Sequence, residues 1–139
     1  MAGHWTNQDE ITSDRVKRAI GYGDKLAAIV NKISDETFDA LIPMIDPDRF
    51  VRRGNERDET MDWPTYRAML EQWDGGNDVY EKQLHRASDA GNVVYLDHDE
   101  RSVSKDGEES SLRSISIYEF DDADRIVAVD ICMGFHQRP

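Results

Sequence analysis

The sequence predicts an α+β fold, with three N-terminal helices packed on one face of a curved antiparallel sheet. Two observations carry this. In the first half apolar residues recur at helical spacing, and from Asp78 onward the period drops to two. The later apolar runs are also long, consecutive and joined by short segments of Gly, Asp and Ser, which suits a meander. Helices followed by strands, rather than alternating with them, is an α+β plan.

Residues 1–11 are polar with one Trp and are expected to form an N-terminal arm. Residues 12–135 are expected to form the domain, and 136–139 a tail. "TSDRVKRAIGYGDKLAAIVNKI" reads as the first helix, capped by Thr12 or Ser13. Val16, Ala19, Ile20, Gly23, Ala27 and Val30 share one face of it, and Gly21 and Gly23 admit a bend. "SDETFDALIPMI" reads as a short helix capped by Ser34 and stopped near Pro43. "DPDRFVRRG" is a turn into a short strand. "DWPTYRAMLEQW" is the third helix, with Pro64 in its first turn and Tyr66, Met69, Leu70 and Trp73 along one stripe. "VYEKQLHRAS", "NVVYLDHDERSVS", "SLRSISIYEF" and "RIVAVDICMGF" are four strands, joined by "DAG", "KDGEES" and "DDAD".

Composition excludes several classes of function. A chain of 139 residues suits one domain with a real core, and three Trp, five Tyr and four Phe argue against disorder. The net charge of −12 repels nucleic acid and anionic membranes. Cys132 is the single cysteine, so no intrachain disulfide or cysteine zinc cluster can form, and its apolar run predicts a buried, inert thiol. No stretch reaches the length of a signal peptide core or a membrane span, so a cytoplasmic location is expected. There is no Gly-rich phosphate loop, and Asp97, His98 and Asp99 alternate in direction along a strand and cannot chelate one ion. Neither metal nor organic cofactor is expected.

The last strand has two faces. Val127, Val129, Ile131, Met133 and Phe135 form a bulky one, which predicts a subunit interface on the outer side of the sheet and hence a homodimer. Ile126, Ala128, Asp130, Cys132 and Gly134 form a smaller one, suited to the wall of a cavity under the helices. Asp130 is there either a satisfied core group or a catalytic one.

The element order, and above all "SISIYEFDDADRIVAVDICMGF", resembles the nuclear transport factor 2-like superfamily in its SnoaL-like branch. The resemblance spans residues 12–135 and implies a cone-shaped half-barrel around a ligand pocket. Relatives of this kind include polyketide cyclases, ketosteroid isomerases, scytalone dehydratase, limonene epoxide hydrolase and non-catalytic binding modules. Most of the enzymes need no cofactor, and dimers through the outer sheet face are common. "DERSV" and "VAVDI" also resemble epoxide-hydrolase strands, which places Arg101 on a bridging arginine and Asp130 on a carboxylate. Val103, Val51 and Arg53 depart from that pattern, so the architecture transfers and that chemistry does not.

If Arg101 faces the pocket, alternation puts Val93, Tyr95, Asp97 and Asp99 beside it and His98 and Glu100 on the other face or its rim. A β-bulge would instead bring His98 inward. On this phase Asp99 is the candidate base, Asp130 the proton donor, and Arg101 with Arg53 the holders of a developing oxyanion or a substrate carboxylate. Tyr66, Trp73, Tyr95, Asp97 and Tyr118 line the site, and the rings suit a flat substrate. The competing expectation is an Arg101–Asp99–Asp130 salt-bridge network that only supports the fold, with His85 a structural histidine. The function expected is a cofactor-independent lyase, dehydratase, isomerase or cyclase acting on a small hydrophobic, aromatic or polyketide-like molecule. The alternative is a non-catalytic ligand-binding or assembly module of the same fold.

Overall fold

The structure is a computed structural model that describes residues 11, 13–54 and 59–135. The expected arm through residue 10, the cap at Thr12 and the tail lie outside the described residues.

Helix α1 covers Asp14–Val30 without interruption at Gly21 or Gly23, and Ser13 caps it by accepting from the Val16 N–H at 3.3 Å. The expected second helix is a 3₁₀ segment, Phe38–Met44. It starts later than Ser34, whose hydroxyl instead accepts from the Glu36 N–H in a local turn. Strands β1 (Val51–Gly54) and β2 (Glu59–Asp62) then pair antiparallel. The sequence suggested β1 alone. Helix α2, Trp63–Gly76, is capped by Asp62, which accepts from the Thr65 N–H at 3.0 Å, with Pro64 in the first turn.

Strands β3 (Asn77–Ala90), β4 (Val93–Ser104), β5 (Glu109–Phe120) and β6 (Ile126–Phe135) form the expected meander. The curved, unclosed sheet runs β2-β1-β6-β5-β4-β3, antiparallel except where β1 lies parallel to β6. Gly91 and Gly107 supply the positive φ that the β3–β4 and β4–β5 turns require. In the β5–β6 turn the Asp121 carboxylate accepts from the Ala123 and Arg125 N–H groups. The Asn31 side chain, beyond α1, donates to the Tyr80 carbonyl and accepts from the Tyr80 N–H, covering the outer edge of β3.

The three helices sit on the concave face, and the core is Val16, Tyr22 and Leu26 from α1 with Tyr66 and Leu70 from α2 against the sheet. The sheet faces are the reverse of those expected. Val94 and Leu96 are fully buried under the helices, so His98, Glu100 and Ser102 follow them inward on β4. On β6, Val129 and Ile131 face the concave side, while Ala128, Asp130 and Cys132 face out. A register shift at Phe120–Ile126 lets both Ile126 and Val129 enter the core. The physical reason is volume: the space beneath the helices takes the bulky residues, and the small ones lie outside. Cys132 is accordingly exposed rather than buried. The side chains of Met133 and Phe135 lie outside the described residues. The irregularity near His98 is in β3, where His85 is an extra residue between Leu84 and Arg86.

Candidate functional site

A cavity of about 400 Å³ lies between α1, α2 and the concave sheet face. Its apolar wall includes Leu26, Leu70, Trp73, Val129 and Ile131. Four phenols enter it, from Tyr22, Tyr66, Tyr80 and Tyr118. Burial pushes all four above the usual tyrosine range, so each hydroxyl keeps its proton and can donate. Tyr22 meets Tyr118 edge-on with ring centroids 5.9 Å apart, and Trp73 meets Tyr80 edge-on at 4.9 Å.

Charge enters at the β3–β4 pair, where Lys82 stands directly opposite Glu100. Glu100 accepts hydrogen bonds from the Tyr80 hydroxyl and from Ser114 Oγ, the latter at 2.5 Å. Ser114 Oγ also lies 2.9 Å from His98 Nε2. A hydroxyl has one proton and the carboxylate only accepts, so Ser114 donates to Glu100 and accepts from the His98 Nε2–H. Burial alone would push Glu100 up. The His98 contact, the Lys82 charge, Ser114 and Tyr80 together outweigh it and hold the carboxyl at about 2. Lys82 is also shifted down, which for an amine favours the neutral form: burial lowers its pKa, and the negative charges of Glu100 and Asp24 offset this only in part. Gly23 leaves room for the amine, since a Cβ there would come within 3.1 Å of Lys82 Nζ. Behind Lys82 and His98 a second cavity of about 50 Å³ reaches Gly23 and Asp24.

At the other side of the phenols is Arg52. Its guanidinium carbon lies 5.7 Å from the centroid of the Tyr66 ring. Tyr22 Oη is buried near Tyr66, close enough for each phenol to affect the other's ionisation. The cavity is thus a run of protonated phenols between a guanidinium and a lysine–carboxylate pair.

Of the residues expected in the site, Tyr66, Trp73 and Tyr118 line the cavity. The others do not: Arg53 and Asp130 lie on the outward faces of β1 and β6, and on β4 Tyr95, Asp97 and Asp99 share the outward face with Arg101. Arg101 pairs with Glu109 and, at 3.1 Å, with Glu81. Asp99 lies 3.0 Å from His85 on the same convex side. Asp130 is held by Arg53 through two contacts, at 2.5 and 3.0 Å, and both side chains are partly exposed. Tyr95 is 40% exposed on the convex face. Asp97 is buried there between Arg86 and Arg113, whose hydrogen bonds and charge, Arg113 foremost, hold it at about 2. Asp99, Arg101 and Asp130 therefore converge neither on a cavity nor into one network; each takes a separate partner. Sequence reasoning missed Lys82, Glu100, Tyr80, Tyr22, His98, Ser114 and Arg52. The missing signal was available in "NVVYLDHDE": anchoring alternation on Val94 and Leu96 turns His98 and Glu100 inward.

Among the described residues no group of three or more His, Cys, Asp or Glu is placed to hold a metal ion, and no helix is long and apolar enough to cross a membrane. No family model and no curated protein matches the chain by sequence. Solved structures do match. A SnoaL-like polyketide cyclase assigned in Shewanella putrefaciens CN-32 superposes with a TM-score of 0.74 at 12% identity, over 88% of this chain and 91% of the other. An M. tuberculosis epoxide hydrolase resembling limonene epoxide hydrolase gives 0.65 at 14% identity, over 86% and 84%. A Catenulispora acidiphila protein with a ketosteroid isomerase-like fold, in complex with trimethylamine, gives 0.62 at 12% identity, over 79% and 82%.

Proposed function

We propose that this chain, which has the nuclear transport factor 2-like fold with SnoaL-like cyclases among its structural neighbours, is a cofactor-independent acid–base enzyme. Its substrate would be a small, flat, largely apolar carbonyl compound, aromatic or polyketide-like, held in the phenol-lined cavity. One observation carries this: an amine of lowered pKa faces an ionised carboxylate on the wall of an aromatic pocket.

In this mechanism Lys82 carries the proton. Its ammonium gives up a proton more readily than an ordinary lysine, and the amine so formed takes one back. Glu100 stays ionised and sets the field at Lys82 across the β3–β4 pair, while Ser114 holds Glu100 and is itself held by His98. Tyr22 and Tyr66 donate to the substrate oxygen on which negative charge develops. Trp73 and Tyr118 hold the flat body. Isomerisation is such a proton relocation. Elimination adds cleavage of the C–O bond, with the proton passed to the departing hydroxyl to give water. Aldol-type ring closure adds a C–C bond, with the proton passed to the acceptor carbonyl oxygen. The neighbours' cyclase assignments support that group of reactions.

The test is turnover of a panel of small aromatic and polyketide-like hydroxyketones and enones, read with Lys82→Met. Loss of a proton-transfer group costs about 10²–10⁴-fold in rate. A variant that turns over a good substrate within threefold of wild type ends the assignment. A second reading, a binding module without chemistry, is favoured by the saturation of Glu100, whose oxygens are already occupied by Tyr80 and Ser114. Tight binding across the panel with no turnover would select it.

We also propose self-association through the convex face, now by way of Tyr95, Ile115 and Ile117 rather than the bulky face of β6. Tyr95 pairs with Ile117 across β4–β5, and Tyr95 and Ile115 are 40% and 41% exposed.

A further inference from the structure

The cavity holds a second cation that proton transfer does not use. Alternation along β1 turns Arg53 out to Asp130 and Arg52 in towards the phenols. Arg52 has no carboxylate within ion-pair distance among the described residues, although acidic residues outnumber basic ones 29 to 17 in the chain. Its Nε is buried and donates to none of the described residues. A buried donor left unmade is costly, so a guanidinium kept in this state is expected to meet an acceptor that the described residues do not supply. Gly54 keeps the space open: a Cβ there would come within 2.9 Å of Arg52 Nη1. The Tyr22 and Tyr66 phenols, both protonated and able to donate, lie close enough to feel the charge of Arg52. This side of the cavity therefore offers donors and positive charge, and the acceptor carboxylate of Glu100 is on the other strands.

We propose that the cavity's ligand bears a carboxylate, which the planar fork of Arg52 grips while the apolar body lies along Trp73 and Tyr118. The planar guanidinium matches the two coplanar oxygens of a carboxylate, which a lysine in the same place would not. This deepens the reading of the same cavity, naming the substrate as an aromatic or polyketide-like acid with its anionic end at β1 and its reacting end at Lys82.

The test is a binding measurement without turnover, so it stands or falls apart from the proton-transfer assignment. The probes are 2-naphthoate and its neutral isostere 2-naphthamide, titrated calorimetrically at pH 7 into the whole chain. A charge-assisted contact should make the carboxylate bind about 10- to 100-fold tighter than the amide. Arg52→Gln should bring the two within threefold, with amide affinity kept as the check that the pocket is intact. If that variant does not fold, Gly54→Ala, which displaces the guanidinium tip, should reduce the preference instead. Lys82→Met should leave the preference in place. The proposal is overturned if naphthoate does not bind at millimolar concentration, if it binds no tighter than the amide, or if the preference survives Arg52→Gln. It is equally overturned if Lys82→Met, and not Arg52→Gln, abolishes the preference.

Discussion

Replacing Glu100 with Gln tests whether the polar cluster in the cavity wall is as tightly coupled as its geometry implies. The Glu100 side chain is 18% exposed, and its carboxyl is held at about 2 against an ordinary 4.5. Because the folded pKa is the lower one, folding favours the ionised form. The resulting stability is complete above about pH 4.5 and is lost as the pH falls towards 2. At 1.36 kcal/mol per pH unit of displacement, the ionised group contributes about 3 kcal/mol at pH 7. In a chain of this size that is about 10 °C in Tm. Thermal unfolding followed by circular dichroism should show such a drop for Glu100→Gln at pH 7, narrowing to about 1 kcal/mol at pH 3 as the wild-type carboxylate takes up its proton. Adding Lys82→Met should restore part of the loss, since the amine is then no longer buried without its counter-ion. A Glu100→Gln protein melting within 2 °C of wild type at pH 7, with the same pH profile, would refute the coupling.

Lys82 has the same sign in a higher pH window. Its folded pKa lies below that of the unfolded chain, so the unfolded state binds more protons, and wild type should gain stability relative to Lys82→Met as pH rises from 7 towards 10 in urea titrations. A gap independent of pH would mean that burial does not perturb the amine. Asp97, 9% exposed and held at about 2 against an ordinary 3.8, should cost about 2 kcal/mol when changed to Asn at pH 7, with the difference disappearing as the pH falls towards 2. Urea midpoints at pH 7 and pH 3 would show it. Asp130→Asn should cost at most about 1 kcal/mol, because its pair with Arg53 is half-exposed; a loss of several kcal/mol in the same urea series would contradict a surface role. For the convex face, Ile115→Glu should convert any dimer to monomer in multi-angle light scattering, and an unchanged mass would move the interface elsewhere.

Most of the fold was legible because period and turn chemistry are local properties. The switch from helical spacing to alternation, and the "DAG" and "DDAD" turns, delimited the long strands to within a few residues. Strand β2 was not legible: its four residues, "ETMD", have no apolar alternation and owe their pairing to β1. The polar side of the site was lost largely through the phases of two strands, β4, anchored on Arg101, and β6, whose small face with Asp130 points out rather than in. Alternation is rigid once anchored, so choosing Arg101 as the inward residue sent every neighbour to the wrong side. Apolar anchors are the safer choice, since Val94 and Leu96 have a strong reason to be covered and an arginine has none. The helix contributions Tyr66 and Trp73 were found because their stripe could be read without reference to the sheet.

Strand β1 places two arginines in succession, and that has a mechanical consequence. With only four residues in the strand, a slip by one position would trade Arg52 for Arg53 in the cavity and carry the other guanidinium outside. The two-point grip of Arg53 on Asp130, its direct partner across the parallel β1–β6 pair, acts as a detent against that slip. On the proposed binding mode, Asp130 governs which guanidinium a ligand meets without lying near it. A change there should be felt as blurred selectivity among ligands, at almost unaltered melting temperature, in the manner of a loosened latch rather than a missing tool.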